Sequence, residues 1–364
     1  FACSVNSSAV FRAFSADIPF FTFNINSLFS LIGISFRFEI PSFLQPVGIS
    51  FFTLQAFSSI FAVYRGTTKA DTNVWRLGLF MSFFPQIVEG PICRYDQTAE
   101  KLWNVSQIKF DNLTSGLVRI AFGLMKKVVI ADRLDPLIKA VFKAPDSYAG
   151  GLIAFTVLMY TVQLYMDFSG AMDAVMGTAQ IFGVEMPENF RRPFFSKTIS
   201  EFWQRWHITL GTWFKDYIFY PVTMSKPMKK LTSSARKRLG NHFGPLLAGG
   251  IALFCVWLSN GLWHGAGWNY IFFGMYHFIL ILCGSLIAPA VTAFNQKLHL
   301  NPESFVYRVL RIVRTSLLVV IGEMFFRADT VKKGFFMLRK LLTDHTWQPV
   351  NTAVSKLIRV DNKD

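Results

Sequence analysis

The chain has 364 residues, of which 52% are hydrophobic and only 16% are charged, against about 25% charged residues in an ordinary soluble domain. A soluble domain of this length could not bury so much apolar surface in one core, whereas a membrane protein exposes it to lipid. The net charge of +15 would also suit nucleic-acid binding, but the basic residues lie between apolar runs, as in cytoplasmic loops, so the lipid bilayer is the expected partner and nucleic acid is not.

A helix that crosses a bilayer needs about 20 mostly apolar residues. Five stretches meet this requirement and are predicted to span the membrane: residues 45–64, 75–93, 150–166, 245–263 and 268–289. Residues 305–326 nearly qualify. Three arginines lie in the first half of this segment, so the helix is expected to start in the head-group region. The predicted fold class is all-α, a polytopic membrane protein. Because the chain begins at Phe1, we expect residues 1–364 to be one transmembrane domain that lacks its N-terminus.

Two further segments mix apolar and charged residues. Residues 111–141 are typical of an amphipathic or tilted helix near the cytosolic surface. Residues 199–220 carry three tryptophans and favour a helix at the interface or enclosed by others. Basic clusters occupy residues 126–143, 226–238, 297–314 and 327–340. If all four are cytosolic, residues 245–289 must leave the cytosol and return as a hairpin.

The first polar motif, residues 163–173, contains Asp167 and Asp173 six positions apart. The apolar run before them predicts that they end a helix. Asp167 is therefore a candidate for an orienting carboxylate or for the lining of a polar cavity. A helix end that meets water explains the same pattern equally well.

The second motif runs from residues 189–194 through residues 201–207, which end at His207, to residues 213–221. On a continuous helix Trp203 and His207 would be four residues apart and share a face. Cationic side chains beside them could hold an anionic or thioester-bearing donor. The alternative is an interfacial aromatic girdle in which His207 is structural. The candidates for contact with the donor are Trp203, Trp206, Arg205, Lys215 and Asp216.

The third motif, residues 260–268, surrounds His264 with tryptophan and glycine. An ionisable group in such apolar surroundings is costly and marks a functional site by default, and imidazole can take a proton near neutral pH. If the turn stays helical, Asn260 lies one turn before His264 and can orient its ring. Trp263 is a candidate lining residue. The alternative is a core histidine bonded to a backbone carbonyl.

These motifs resemble MBOAT, the membrane-bound O-acyltransferase family, in colinear order over roughly residues 45–340. Residues 46–55, 84–92, 123–132 and 325–329 resemble further family segments. The resemblance is to the bacterial branch that holds the alginate O-acetyltransferase membrane subunit and the teichoic-acid D-alanyl transfer protein. Residues 221–227 depart from the alginate pattern, which weakens an assignment to alginate itself.

The resemblance implies a ring of transmembrane helices around a central tunnel, in a multi-pass protein of the bacterial plasma membrane. It implies that His264 is the catalytic base and that His207 is either catalytic or shapes the tunnel. The donor would be a cytosolic acyl thioester, acetyl-CoA or the phosphopantetheine of an acyl carrier protein, with no tightly bound cofactor. The acceptor would be a hydroxyl of an extracytoplasmic polymer or of a periplasmic or extracellular acyltransferase.

Several points stay open at this stage. The acyl group is acetyl or D-alanyl, with acetyl favoured. Backbone N–H groups near Gly265 or the Asn260 amide are candidates to stabilise an oxyanion. Residues 226–238 either attract an anionic donor or only set the topology. Two rival functions are a transporter whose histidines relay protons and a non-catalytic scaffold for a periplasmic acyltransferase. No third ligand accompanies the two histidines, so no metal site is predicted.

Overall fold

A computed structural model describes residues 21–32, 34, 36–39, 48–104, 108–265 and 267–351. Within these residues every regular element is helical, and β pairing is confined to a single bridge between Phe190 and Trp206. The all-α prediction is therefore confirmed. The start of the first predicted span, residues 45–47, lies outside the described residues.

The helices follow one another through most of the chain, and residues 21–31 are also helical. In chain order they are α1 (Ile49–Tyr64), α2 (Val74–Ser82), α3 (Phe84–Ile87), α4 (Tyr95–Trp103), α5 (Phe110–Leu124), α6 (Asp132–Lys143), α7 (Gly150–Ile181), α8 (Ile199–Arg205), α9 (Ile208–Phe214), α10 (Tyr220–Met224), α11 (Lys226–His264), α12 (Trp268–Lys297), α13 (Phe305–Arg327) and α14 (Val331–Thr343). Two π-helical segments, Met125–Ala131 and Lys215–Phe219, join α5 to α6 and α9 to α10.

Within the described residues, three helices are long and apolar enough to cross a membrane. They are α7, α11 and α12, with 32, 39 and 30 residues. The spans predicted at residues 150–166, 245–263 and 268–289 lie inside these helices and are confirmed as long apolar helices. The first predicted span appears as α1, a shorter apolar helix of 16 residues.

The span predicted at residues 75–93 is wrong, because the chain forms two short helices there instead. Phe83 has an extended ψ of 109° between α2 and α3. Pro85 follows at the start of α3. Inside a continuous helix it could not donate the backbone hydrogen bond that the residue at this position would have to make. The buried Gln86 amide then donates to the Phe80 carbonyl, 2.7 Å away. Residues 75–93 therefore do not form one continuous helix.

The prediction that Asp167 and Asp173 end a helix is also wrong, since α7 continues through both to Ile181. Cations from the preceding segment neutralise them. Lys127 pairs with Asp167 at 2.9 Å, and Lys126 pairs with Asp173 at 2.6 Å. A paired carboxylate costs much less in a buried helix than an isolated one, so the helix does not need to stop at water.

The helix predicted over residues 199–220 is broken in the middle. α8 ends at Arg205, Trp206 is extended, and His207 has a left-handed φ of 47° before α9 begins. Trp203 and His207 are therefore not neighbours on one helical face. The segment predicted over residues 111–141 is helical throughout. The helix changes from α to π at Met125–Ala131 and returns to α in α6.

The chain divides into two compact units. The first comprises residues 1–127, 167–187 and 260–271, and the second comprises residues 128–166, 188–259 and 272–364. In the first unit, α5 packs closely against the later part of α7 through two glycine pairs. A Cβ on Gly116 would lie 2.6 Å from the Gly177 carbonyl oxygen, and one on Gly123 would lie 2.5 Å from that of Gly170.

The second unit contains the larger buried apolar cluster, drawn from α6, α7, α13 and α14. The helices α11 and α12 form an antiparallel hairpin, as the sequence predicted. Its contacts pair His242 with Ser285, Gly250 with Leu282, Phe254 with Phe278 and Trp257 with His277. α11 kinks at Gly240, whose φ is 80°.

Candidate active site

His264 is the last residue of α11, and the chain turns immediately after it. Gly265 has a φ of 154°, and its N–H donates to the Leu262 carbonyl at 3.2 Å. The Gly267 N–H donates to the Gly265 carbonyl at 3.0 Å, and α12 begins at Trp268. His264 thus lies at a tight corner between two helices that are long enough to cross a bilayer.

The glycines at this corner allow close contact with Tyr270. A Cβ on Gly261 would lie 2.7 Å from the Tyr270 carbonyl oxygen. A Cβ on Gly265 would lie 2.7 Å from the Tyr270 ring, and one on Gly267 would lie 3.3 Å from it. Any larger side chain would displace this tyrosine. The glycines therefore have a packing function that the sequence pattern did not reveal.

Asn260 lies one helical turn before His264, as its spacing predicted. Its side chain is buried, and Oδ1 has no hydrogen-bond partner within the described part of the chain. Asn260 does not orient the imidazole through that oxygen. A buried amide oxygen without a partner is uncommon and calls for an explanation such as a bound ligand or water.

The predicted oxyanion donors at the corner already serve the turn. The N–H groups of Gly265 and Gly267 are both bonded to backbone carbonyls. A role in stabilising an oxyanion would require these two bonds to break when substrate binds. Trp263 lies beside His264, with ring centroids 4.9 Å apart, and it also meets the Phe51 ring at 5.9 Å.

Asp167 belongs to the same unit as His264 and forms an ion pair with Lys127. The next carboxylate, Asp173, binds both Lys126 at 2.6 Å and Arg119 at 3.1 Å. All of these side chains are mostly shielded from solvent, with exposed fractions of 12 to 27%. The sequence motif identified the two carboxylates but missed the lysines that hold them.

His207 lies in the second unit, in a turn built around Asn189. The Asn189 side-chain oxygen accepts hydrogen bonds from the Thr209 N–H at 3.0 Å and the Thr209 hydroxyl at 2.8 Å. The same oxygen lies 3.4 Å from Nδ1 of His207. The Asn189 backbone carbonyl accepts from the Ile208 N–H at 3.1 Å. This single asparagine holds the left-handed turn that presents His207.

The residues just before His207 are each occupied by protein contacts. Trp206 is buried and pairs with Phe190 in the antiparallel bridge, where their ring centroids are 5.1 Å apart. Arg205 forms an ion pair with Glu201 at 2.6 Å, which leaves its guanidinium engaged within α8. Trp203 lies against Trp257, with centroids 4.8 Å apart.

Lys215 and Asp216 open the π-helical segment after α9. The Lys215 ammonium lies over the Tyr220 ring, 5.4 Å from its centroid. The structure brings Lys215, Asp216, Trp203, Arg205 and Trp206 into the unit of His207. It places Asn260, Trp263, Gly265 and Asp167 in the unit of His264.

His277 is a buried residue that the sequence analysis missed. Its Nδ1 lies 3.0 Å from the Phe273 carbonyl, so this nitrogen donates, and Nε2 has no partner among the described residues. Trp257 stacks on the ring at 5.3 Å, and Trp203 meets it edge-on at 5.0 Å. The criterion that identified His207 and His264, a histidine within an apolar run, also applies to His277.

The family model for MBOAT, the membrane-bound O-acyltransferase family, matches residues 73–236, which include His207. The chain is 30% identical to the teichoic acid D-alanyltransferase of Bacillus subtilis, over 77% of this chain and 68% of that protein. The chain belongs to the membrane-bound O-acyltransferase family. Together with the three long apolar helices found in the described part of the chain, membership identifies it as a multi-pass protein of the cell membrane.

Other relatives carry different names. The "probable alginate O-acetylase AlgI" of Pseudomonas aeruginosa is 33% identical over 89% of this chain and 56% of its own length. The peptidoglycan O-acetyltransferase of Helicobacter pylori is 28% identical over 84% of this chain and 58% of its own length. The chain therefore spans little more than half the length of these two relatives.

Proposed function

We propose that this protein is a membrane O-acyltransferase that acts in the modification of a cell-envelope polymer. The observation that carries the proposal is the corner after α11, where His264 lies one turn beyond Asn260, whose buried Oδ1 has no hydrogen-bond partner among the described residues. Family membership supports the reaction class, and three relatives are named for transfer of acetyl or D-alanyl groups.

In the proposed mechanism, His264 removes the proton from an acceptor hydroxyl. The hydroxyl oxygen attacks the thioester carbonyl, the carbon–sulfur bond breaks, and the thiolate leaves with a proton returned by the imidazolium. A well-placed general base contributes on the order of 10²–10⁴-fold to such a step. The Oδ1 of Asn260, which has no partner in the described part of the chain, is an acceptor, so it suits a hydroxyl that must be oriented before attack.

The donor is proposed to be a cytosolic thioester, either acetyl-CoA or the phosphopantetheine of an acyl carrier protein. A tunnel through the helices would bring it to an acceptor on the far side of the membrane. The acceptor would be a polymer hydroxyl or a periplasmic or extracellular acyltransferase. His207, held by Asn189, would either take part in proton transfer or shape this tunnel.

Acetyl is the favoured acyl group, because two relatives with different named acceptors, alginate and peptidoglycan, are both O-acetyl-transferring proteins by name. D-alanyl is the second candidate, and the Bacillus subtilis relative supports it. Mass spectrometry of purified envelope polymer from cells with and without the protein separates the two, since the esters differ in mass and only one carries an amine.

The test of the catalytic assignment is His264→Ala, assayed for acyl esters on the envelope polymer in cells. We expect ester formation to fall by about 10²-fold or more, the contribution of a general base. His299→Asn is the matched control, because His299 is exposed and asparagine tolerates its left-handed φ of 51°. Ester formation at the wild-type level in His264→Ala cells would show that this histidine is not the base.

The same assay separates the enzyme from a scaffold for another acyltransferase. A scaffold keeps its function when both His264 and His207 are replaced, provided the double variant accumulates in the membrane. An enzyme loses function in the His264→Ala variant while its quantity in the membrane stays unchanged. Immunoblotting of isolated membranes supplies that measurement of quantity.

A further inference from the structure

The first part of α11, residues 226–239, carries a dense positive charge that no acidic residue in the described part of the chain neutralises. It contains six cations and no acidic residue, and no Asp or Glu occurs anywhere between Asp216 and Glu303. The six are all exposed, and none forms an ion pair with the residues that the structure describes. They are Lys226, Lys229, Lys230, Arg236, Lys237 and Arg238. The described residues therefore supply no counter-charge for this segment, and an anionic molecule can supply it.

The cations are concentrated on one face of the helix. Lys226, Lys229, Lys230 and Lys237 follow helical spacing on one side, and Ala235, which is 6% exposed, marks the opposite side. The segment therefore packs on the protein with one face and presents a row of long cationic side chains with the other. Such a helix is typical of the plane of the membrane interface.

A tight corner connects this segment to the apolar part of α11. Gly240 has a φ of 80° and interrupts the helix. Four residues later, a Cβ on Gly244 would lie 2.4 Å from the Arg236 Cα and 3.0 Å from the Ala235 carbonyl carbon. The chain has thus folded back on itself, because residues eight apart on a straight helix would be separated by about 12 Å. The end of the basic segment therefore packs against the beginning of the apolar part of α11.

Exposed apolar residues flank the cations at both ends of the segment. Met224 precedes it with 62% exposure, Leu239 ends it with 52%, and Phe243 and Leu247 begin the spanning part with 43% and 45%. Side chains of this kind are stable in hydrocarbon, so the cations beside them lie at the depth of the head groups. A soluble acidic protein that bound the cations would leave these four apolar side chains exposed to water. Lipid would cover them as well, which favours lipid as the occupant.

We propose that residues 226–239 form a binding surface for the anionic head groups of acidic phospholipids in the leaflet beside them. The ligand chemistry is a phosphodiester with a net negative charge, contacted by several lysine and arginine side chains at once. Clusters of four to eight basic residues next to a spanning helix have this property in general. The proposal does not depend on the acyl-transfer activity.

The test uses the full chain in nanodiscs of phosphatidylcholine alone or of phosphatidylcholine with phosphatidylglycerol. Amide hydrogen exchange of residues 226–239 and the number of phosphatidylglycerol molecules retained in native mass spectrometry are the two measurements. We expect exchange to slow by about tenfold or more when phosphatidylglycerol is present. High salt should abolish the difference, because it screens charges at the head-group surface.

Two variants separate charge from structure. In Lys229→Gln/Lys230→Gln/Arg236→Gln/Lys237→Gln, both the slowing and the retained lipid should be lost. In the charge-preserving control Lys229→Arg/Lys230→Arg/Arg236→Lys/Lys237→Arg, both should be kept. Equal lipid retention in the two variants would overturn the proposal. So would exchange that is insensitive to phosphatidylglycerol but slows on addition of an acidic carrier protein, since the surface would then belong to a protein partner.

Discussion

Asn189 is the residue on which the position of His207 depends most directly. Its buried side-chain oxygen serves Thr209 twice and faces the imidazole, and its backbone carbonyl receives the Ile208 N–H. A left-handed backbone at a non-glycine residue is uncommon and strained, and it persists only where the surrounding contacts impose it. Asn189 supplies those contacts from 18 residues earlier in the chain.

Replacing Asn189 with Ala should therefore affect both stability and activity. The buried Thr209 N–H loses its acceptor, which lowers the free energy of unfolding by about 1–3 kcal/mol. The turn at His207 also loses the side-chain contacts that hold its left-handed backbone. We expect a lower thermal midpoint in detergent and a lower rate of acyl transfer. Thr209→Ser keeps the hydroxyl donor and should resemble the wild type. An Asn189→Ala protein with unchanged melting and unchanged transfer would show that the turn forms without this residue.

At the scale of whole helices, the packing of α5 on α7 depends on glycines that face each other. Gly123→Ala would place a methyl group 2.5 Å from the Gly170 carbonyl oxygen. We expect the free energy of unfolding to fall by about 1–3 kcal/mol or more, because the backbones of α5 and α7 must move apart. The readout is the thermal midpoint of the purified protein.

Gly249→Ala is the matched control for the glycine pair. Gly249 also lies within a long apolar helix, but a Cβ there would meet no atom within 4 Å. Alanine in an open helical position is neutral or slightly stabilising. If Gly123→Ala and Gly249→Ala melt at the same temperature, close contact between α5 and α7 does not limit stability.

The start of α7 is tied to the end of α14 by Asp344. Its carboxylate accepts from the Thr346 hydroxyl at 2.5 Å, from the Gly150 N–H at 3.0 Å and from the Thr346 N–H at 3.1 Å. These hydrogen bonds, that of the Thr346 hydroxyl above all, lower the pKa of Asp344 from 3.8 to about 2. The charged form is therefore the one that the folded state favours.

Because the folded pKa of Asp344 is below the unfolded one, its stabilising contribution is complete above about pH 4 and disappears as the pH falls toward 2. Asp344→Asn should lower the thermal midpoint at pH 7. The difference in thermal midpoint between this variant and the wild type should become smaller as the pH is lowered from 4 to 3. Asp146→Asn, at an exposed position of the same unit, is the control. A gap of constant size across this pH range would contradict the assignment.

For the molecule as a whole, the hairpin of α11 and α12 predicts that its two free ends lie on the same side of the membrane. Single cysteines at Ser233 and Gln296, both exposed, can be introduced after replacement of the four native cysteines. We expect both to react with a membrane-impermeant maleimide from the cytosolic side, where basic clusters are retained. Labelling of the two positions from opposite sides would exclude the hairpin topology.

Much of the architecture was predictable from local composition. Long apolar runs gave the positions of α7, α11 and α12, since only a helix can satisfy its own backbone in lipid. The prediction that Asn260 lies one helical turn before His264 was correct, because the helix does extend to His264. The family resemblance, which depended on motifs around His207 and His264, was confirmed by the comparison with relatives.

The errors fall where contacts between distant segments override local pattern. Asp167 and Asp173 stay inside α7 because Lys127 and Lys126 come from another helix to neutralise them. The helix around His207 breaks because Asn189 holds the turn from outside. Apolar length and helical spacing are properties of neighbouring residues and can be read along the chain. Charge pairing, turn bracing and close glycine contacts depend on which segments meet, and only the folded molecule brings those segments together.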